Sequence, residues 1–239
     1  MKKKVSKILV FAVLIALVFS ACGCSDLKIT DEMQKAIDIY IDAVSKTELK
    51  KSGKVTVTSI LEDSAIEFKT TEAVIEFDFE IVDDKVLFER IDYVDKKESS
   101  KYKSDGNVIE SFDFVTNTWQ DKTEENKQFL TATSNPFTSL SLFRIDNKHK
   151  IQTSYLKDIK SYEENGSTVV EFILKDSTVS DVLGFYKADG IVRESDGNSR
   201  KYYIDSNGLI SKIVIFSSQN IISDGKSGVY KTEITVICK

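Results

Sequence analysis

The sequence predicts an α+β protein in which a large, curved antiparallel β-sheet carries helices on its concave face. Three observations lead to this class. One stretch near the start has the 3.6-residue apolar period of an amphipathic helix, and most of the remaining chain has the two-residue period of half-buried strands. Pairs such as Asp-Gly and Asn-Gly separate neighbouring strand patterns, as they do in antiparallel hairpins.

The first predicted element is a helix from Asp31 to about Ser45, with a frayed end that reaches Lys51. Thr30 precedes it as an N-cap, and two acidic residues in its first turn suit the positive end of the helix dipole. Its apolar residues recur on one side, with the spacing of a helix that packs on a core. Gly53 ends the pattern, because glycine commonly follows the last turn of a helix.

Strand patterns come after this helix. Residues 73–82 are the clearest case, because apolar and acidic side chains alternate along them, so one face should belong to the core and the other to water. Asp83-Asp84 and Asp105-Gly106 mark the turns of two hairpins. The predicted strands of this half span residues 54–61, 73–82, 85–94, 101–104 and 107–114.

The second half of the predicted domain follows a polar break. Pro136 predicts a helix to about Asn147, because proline suits the first helical position. Residues 177–186 predict one or two further helical turns, and Asn165-Gly166 and Asn207-Gly208 mark two hairpin turns. The predicted strands of this half span residues 155–163, 167–175, 200–205, 209–217 and 228–238. No linker-like composition interrupts residues 31–239, which are expected to form a single domain.

The first 24 residues have the pattern of a secretory signal. Four lysines precede an unbroken apolar run of 12 residues from Ile8 to Phe19, and small residues come next. The run is shorter than the roughly 20 residues that a transmembrane helix needs. Residues 1–21 are therefore expected to be a signal peptide.

Residues 18–22, Val-Phe-Ser-Ala-Cys, resemble the lipobox of bacterial lipoproteins, in which the cysteine becomes the first mature residue and carries a diacylglycerol thioether. The resemblance implies lipid attachment at Cys22, with residues 22–30 as a tether, and a place on the extracytoplasmic face of the bacterial cell membrane. Phe19 stands where leucine is most usual, and Cys24 is a second candidate acceptor. Cys22 is preferred because it directly follows Ser-Ala beside the apolar run. The alternative is a plain secreted protein with an incidental cysteine.

The charge of the mature chain limits its partners. Cleavage before Cys22 would remove four lysines and no acidic residue, so the formal net charge would fall from −5 to −9. An acidic domain is a poor ligand for nucleic acid, which attracts clusters of basic residues. Anionic headgroups would also repel it, so the attached lipid rather than charge should hold the protein to the membrane.

The motifs of common enzymes and metal sites are absent from the sequence. His149 is the only histidine and lies among lysines, so a nucleophilic hydrolase would lack an oriented base. The same count excludes a zinc site of histidines and cysteines, and no nucleotide-binding glycine motif occurs. Residues 196–198 and 205–208 are rich in oxygen ligands, but they lack the spacing of a calcium loop and suit hairpin turns. We therefore expect no enzymatic activity, cofactor or metal.

The third cysteine lies at the other end of the chain. Cys238 is predicted to be a small apolar residue of the last strand. A disulfide between Cys24 and Cys238, in an oxidising compartment, is the alternative.

Three stretches resemble the lipoprotein-carrier half-barrel family, to which the periplasmic carrier LolA and the mycobacterial LppX-like lipoproteins belong. They are the helix that runs into a threonine–valine strand over residues 44–57, the Asp-Gly hairpin followed by Trp119, and the strand–turn–strand over residues 202–213. The resemblance spans most of the mature chain and implies a half-barrel with an apolar cavity between sheet and helices. It implies no particular site residue, because that family uses a cavity rather than a motif.

Two functions are compatible with these predictions. In the first, an acyl chain or another apolar ligand binds between sheet and helices. Seven phenylalanines are the candidate lining residues: Phe77, Phe79, Phe88, Phe112, Phe114, Phe137 and Phe143. In the second, these side chains fill a core, where most phenylalanines lie, and the protein is a cell-envelope interaction or assembly module without a small ligand. Its protein partner is then unknown.

Replacement of the proposed lipid acceptor tests the anchor. Cys22→Ser should release the protein from membranes, because the thioether is the attachment that the sequence predicts. Membrane fractionation followed by immunoblotting measures the release. A variant that stays with the membrane fraction would show that Cys24 or another contact holds the protein.

Overall fold

The computed structural model describes residues 27–63, 69–130, 153, 156–175, 192–223 and 226–239. Helix α1 spans Asp31–Glu48, a short helix α2 spans Thr123–Asn126, and a 3₁₀ turn continues from it at Lys127–Leu130. The strands are β1 Ser52–Asp63, β2 Lys69–Val82, β3 Lys85–Val94, β4 Lys97–Asp105, β5 Ile109–Asp113, β6 Thr118–Asp121, β7 Leu156–Glu164, β8 Ser167–Leu174, β9 Val192–Ile204, β10 Ile210–Ser223 and β11 Lys226–Cys238.

All eleven strands belong to one sheet, in the order β6-β5-β4-β3-β2-β1-β11-β10-β9-β8-β7. Every neighbouring pair is antiparallel, and β6 and β7 form its two edges. The sheet is therefore open. The predicted fold class is confirmed: the protein is α+β, a half-barrel-like antiparallel sheet with a helix packed on one face.

The strand register divides the side chains between two faces. Directly opposed residues of antiparallel strands share a face, and successive residues alternate. We call the face that packs against α1 the inner face and the other the outer face. One inner-face row crosses β3, β2, β1, β11, β10, β9 and β8 through Asp92, Ile75, Val57, Val236, Ile213, Tyr202 and Val170.

The hairpin turns identify two ends of the sheet. The upper end carries the turns at residues 83–84, 106–108, 165–166 and 206–209, and the lower end carries those at residues 95–96 and 114–117. Both residues of the Asn165-Gly166 turn have positive φ, 51° and 79°, which matches the right-handed twist of the flanking strands. This hairpin is confirmed as predicted.

Helix α1 begins where its sequence predicts, and it ends before Gly53, which lies in β1. The Thr30 side chain accepts a hydrogen bond from the Met33 amide at 3.3 Å, which satisfies one of the free N–H groups of the first turn. The helix ends at Glu48, three residues beyond the predicted Ser45. One side of it is buried, at three- and four-residue spacing: Ala36, Ile37, Tyr40, Ala43, Val44 and Thr47.

Two contacts fix the direction of α1 on the inner face. The Thr47 hydroxyl donates to the Ala43 carbonyl at 2.7 Å and accepts from the Ile210 amide, at the upper end of β10, at 2.9 Å. Two turns earlier, the Tyr40 ring lies 5.0 Å from Phe172 and 4.6 Å from Tyr202, deeper in the sheet. The amino end of α1 therefore points toward the lower end of the sheet.

Several elements differ from the sequence prediction. Strand β9 begins at Val192 rather than at residue 200, and β10 continues to Ser223, because the backbone ladder extends pairing into polar stretches without an alternating pattern. Strand β6 was not predicted, and it is only four residues long. The helices predicted at residues 136–147 and 177–186 lie outside the described residues.

The buried Thr47 hydroxyl should contribute measurably to stability. Thr47→Val keeps the shape but leaves the Ile210 amide without its acceptor, so we expect a loss of about 1–3 kcal/mol in the free energy of unfolding. Thr58→Val is the matched control, because Thr58 lies on the outer face, where such changes stay within about 0.5 kcal/mol. Urea titration measures both. Equal stability of the two variants would contradict this role.

Candidate apolar site on the inner face

Three of the predicted phenylalanines meet on the inner face. Phe77 and Phe79 point to it from β2, and Phe88 lies opposite Phe79 on β3. The Phe77 ring stacks on Phe88 at 5.1 Å and lies 6.2 Å from Phe79. Phe79 and Phe88 are buried, whereas Phe77 stays partly exposed. The structure therefore brings together this part of the predicted set.

Two other phenylalanines belong elsewhere. Ser111 of β5 lies opposite Tyr102 and shares the inner face with it, so its neighbour Phe112 must point outward. Phe114 comes next in the turn at the lower end and packs edge-on against Phe112 at 5.2 Å. Phe112 and Phe114 are thus not part of an inner-face site, which corrects the prediction. Phe137 and Phe143 lie outside the described residues, as does Cys22.

A diagonal band of partly exposed apolar side chains crosses the centre of the inner face. We call it the apolar strip, and it consists of Phe77, Ile75, Val57, Ile234 and Ile215. Its members lie on four adjacent strands, β2, β1, β11 and β10. Helix α1 packs chiefly on β7, β8 and β10. The strip therefore lies largely beside the helix rather than beneath it.

Sequence reasoning did not single out the aliphatic members of the strip. Val57, Ile215 and Ile234 have the alternating pattern of any half-buried strand, and the pattern does not show how much cover a side chain receives. Their partial exposure depends on where α1 lies.

An ion pair borders the strip on β3. Arg90 lies opposite Phe77, and Asp92 lies opposite Ile75. The Arg90 guanidinium donates two hydrogen bonds to the Asp92 carboxylate, at 2.7 and 2.9 Å. The Asp92 carboxylate is only 2% exposed, so these charge-assisted bonds compensate for much of its lost hydration.

A second arginine borders the strip on the other side. Arg200 of β9 lies opposite Ile215 and Phe172 and is buried. Burial lowers the pKa of its guanidinium, and the nearby hydroxyls of Tyr202 and Tyr40 act in the opposite direction. Burial also holds the pKa of Tyr40 well above its ordinary value, and Tyr202 adds to that shift.

Cys238 ends β11 beside Val55 on the inner face. It is a free, buried thiol and belongs to the hydrophobic core, as predicted for the last strand. Burial raises the pKa of the Cys238 thiol to about 12. This position therefore behaves as an apolar side chain at neutral pH.

The outer face differs in character. Lys54 forms ion pairs with Asp78 at 3.4 Å and with Glu76 at 3.7 Å, and the pKa of Lys54 is raised chiefly by Asp78. These groups are well exposed, so such pairs contribute little stability. The contrast makes the inner face the candidate site for an apolar ligand.

Two further findings concern only the described part of the chain. Among its histidine, cysteine, aspartate and glutamate side chains, no group of three or more is arranged to hold a metal ion. No helix of these ranges has the length and apolar character needed to cross a bilayer.

Comparison with known proteins finds similarity only at the level of the fold. No family model and no curated protein matches this chain. The lipoprotein LppX of Mycobacterium tuberculosis is 11% identical, over 88% of this chain and 95% of its own, with a TM-score of 0.44. A DUF1329 family protein from Desulfovibrio piger is 7% identical, over 88% of this chain and 92% of its own, with a TM-score of 0.30.

A LolA superfamily protein from Nitrosomonas europaea is 9% identical, over 88% of this chain and 92% of its own, with a TM-score of 0.26. LppX and a LolA superfamily protein are thus among the structural matches. At these identities and TM-scores, neither a ligand nor a function is transferred from them to this chain.

The Cys238 thiol should resist alkylation while the protein is folded. With its pKa near 12 rather than 9.0, the thiolate fraction at pH 8 falls about a thousandfold, and burial also blocks the reagent. Iodoacetamide followed by peptide mass spectrometry should therefore modify Cys238 in urea but not in buffer. Rapid modification of the folded protein, or recovery of a Cys24–Cys238 linked peptide, would contradict this result.

The same pKa shift sets a pH dependence. The unfolded thiol releases its proton above about pH 9, while the folded thiol keeps it until about pH 12. Stability should therefore fall as the pH rises through this window, and Cys238→Ala should remove the contribution of Cys238 to the decline.

Proposed function

We propose that this protein is a lipid-anchored protein of the extracytoplasmic face of the bacterial cell membrane, and that it binds an acyl chain on the inner face of its sheet. It acts by binding rather than by catalysis. The observation that carries the binding role is the apolar strip between Arg90 and Arg200. The anchor rests on the resemblance of residues 18–22 to a lipobox.

The dimensions of the apolar strip suit an acyl chain. It crosses three strand spacings and four residues along the strands, which amounts to a diagonal of about 20 Å. Each leaflet of a bilayer gives an acyl chain about 15 Å, half of the hydrocarbon core. One chain laid along the strip would therefore contact most of its length.

Apolar burial would supply the affinity. Each methylene removed from water contributes about 0.8 kcal/mol, so a chain that covers the strip gains several kcal/mol without any specific polar contact. The bound acyl chain would also cover the partly exposed side chains of the strip. Such a site selects for apolar length rather than for a particular headgroup.

One helix leaves room for this ligand. Eleven strands make a sheet about 48 Å wide, whereas a helix with its side chains is about 10 Å wide. Helix α1 therefore covers only part of the inner face, and the rest must be shielded by other groups of the chain or by a ligand. The strip lies in that remaining part.

A pair of adjacent substitutions on β2 tests the binding site. Ala73 lies on the inner face, in the same row as Ile234, whereas Val74 lies on the outer face. Ala73→Trp should place a large ring on the inner face, where the acyl chain would lie. It should therefore weaken the binding of a fatty acid with an anthroyloxy fluorophore at least about tenfold. Val74→Trp, the matched control, should leave the affinity unchanged. Fluorescence titration measures both variants.

Lipid analysis of the wild-type protein decides whether a ligand exists. The protein purified from membranes should carry about one extractable lipid in addition to its own thioether-linked lipid, measured by native mass spectrometry. A protein without such a lipid, which also fails to bind the fluorescent fatty acid, would favour the interaction module with a filled core.

A further inference from the structure

The β5–β6 hairpin presents an apolar tip at the lower end of the sheet. We call it the aromatic tip and define it as Phe112, Phe114, Val115 and Trp119. Val115 is 94% exposed, Phe114 is 45% exposed and Trp119 is 38% exposed. Phe114, Val115 and Trp119 are not buried, so core packing does not explain why apolar residues cluster on this small edge hairpin.

The rings of the aromatic tip pack on one another and under two lysines. Phe112 lies edge-on to Phe114 at 5.2 Å and to Trp119 at 5.3 Å. The Lys103 ammonium lies 4.4 Å from the centre of the Trp119 ring, and the Lys101 ammonium lies about 6 Å from both phenylalanines. The rings are thus fixed as one surface.

One ion pair lies further from the end of the hairpin than the rings do, because Lys103 pairs with Glu110 at 2.9 Å and Glu110 lies two residues above Phe112 on β5. Lys101 pairs with Glu98 at 2.7 Å, toward the lower end of β4. From the turn upward, the hairpin itself therefore changes from apolar side chains to aromatic rings and then to the Lys103–Glu110 pair. Proteins show this order where they cross from hydrocarbon to water at a membrane surface.

The turn itself is held in shape. The Asp113 carboxylate accepts hydrogen bonds from the Val115 amide at 2.8 Å, from the Thr116 amide at 3.3 Å and from the Gln120 side chain at 2.9 Å. These donors solvate the Asp113 carboxylate, which lies beside the tip. A preformed turn also presents Val115 without an ordering cost on binding.

Helix α1 starts from the same end of the sheet. Its amino end points toward the lower end, and Cys22 stands only eight positions before Thr30 in the sequence. A fully extended chain of that length spans about 27 Å at most. An anchor at Cys22 would therefore hold the lower end close to the bilayer.

We infer that the aromatic tip is a second membrane contact, which inserts into the interface of the bilayer to which Cys22 is anchored. The inference rests on the proposed lipid anchor. The occupant is a zwitterionic phospholipid surface rather than an anionic one, because the lysines of the tip are already paired with acidic residues and the mature chain is acidic. Two contacts at one end would orient the sheet upright on the membrane.

Trp119 reports on this contact directly, because it is the only tryptophan of the chain. The acylated protein is reconstituted into phosphatidylcholine vesicles with and without brominated acyl chains, which quench tryptophan fluorescence at short range. We expect strong quenching of Trp119 in the wild-type protein. Val115→Asp should reduce the quenching at least about threefold, because a carboxylate is costly at that depth.

Val82→Asp is the matched control. Val82 is 42% exposed and lies at the upper end, so this change adds the same charge away from the proposed contact and should not alter the quenching. Circular dichroism should show that both variants are folded.

Flotation of the vesicles separates the two proposals. If the wild-type protein floats with the vesicles but Trp119 is not quenched, or if Val115→Asp has no effect, the aromatic tip is not a membrane contact and the anchor stands. If the wild-type protein does not float, the anchor fails, and the second contact fails with it.

Discussion

The pairing of β1 with β11 is the contact on which the rest of the sheet depends. The pairing runs from Val55 opposite Cys238 to Asp63 opposite Tyr230. It joins the strand that comes first along the chain to the strand that comes last. Without it, β1–β6 and β7–β11 would form two separate antiparallel sheets, each with an additional open edge. The apolar strip also crosses this seam, since Val57 lies on β1 and Ile234 on β11. The candidate site therefore forms only when β1 has paired with β11.

The second constraint is the position of α1. Its buried side chains meet the inner face between the Thr47–Ile210 hydrogen bond and the ring cluster of Tyr40, Phe172 and Tyr202. That docking places the helix over β7, β8 and β10 of the inner face. The strip lies on the same face, toward β2, and stays partly exposed. The same docking points the amino end of α1 toward the lower end. One packing interaction thus determines both which part of the inner face stays partly exposed and which end of the sheet the helix starts from.

The sequence predicted the features that depend on local patterns. The limits of β3, the amino end of α1 and the Asn165-Gly166 turn follow from residue type and spacing. The placement of Phe112 could not be predicted, because five-residue β5 alternates too briefly to show which face is inner until its pairing with β4 is known. The burial of Asp92 could not be predicted either, because an acidic residue in a strand usually faces water. The structure shows that Asp92 lies on the inner face, where Arg90 binds it.

The central claim is that an acyl chain lies along the inner face, and photocrosslinking tests it most directly. A fatty acid with a diazirine in its chain is bound to the acylated protein, irradiated and mapped by peptide mass spectrometry. We expect adducts on inner-face residues of β1, β2, β10 and β11, such as Ile75 and Ile234, and none on their outward neighbours Glu76 and Glu233. Adducts confined to the outer face or to the aromatic tip would contradict the claim.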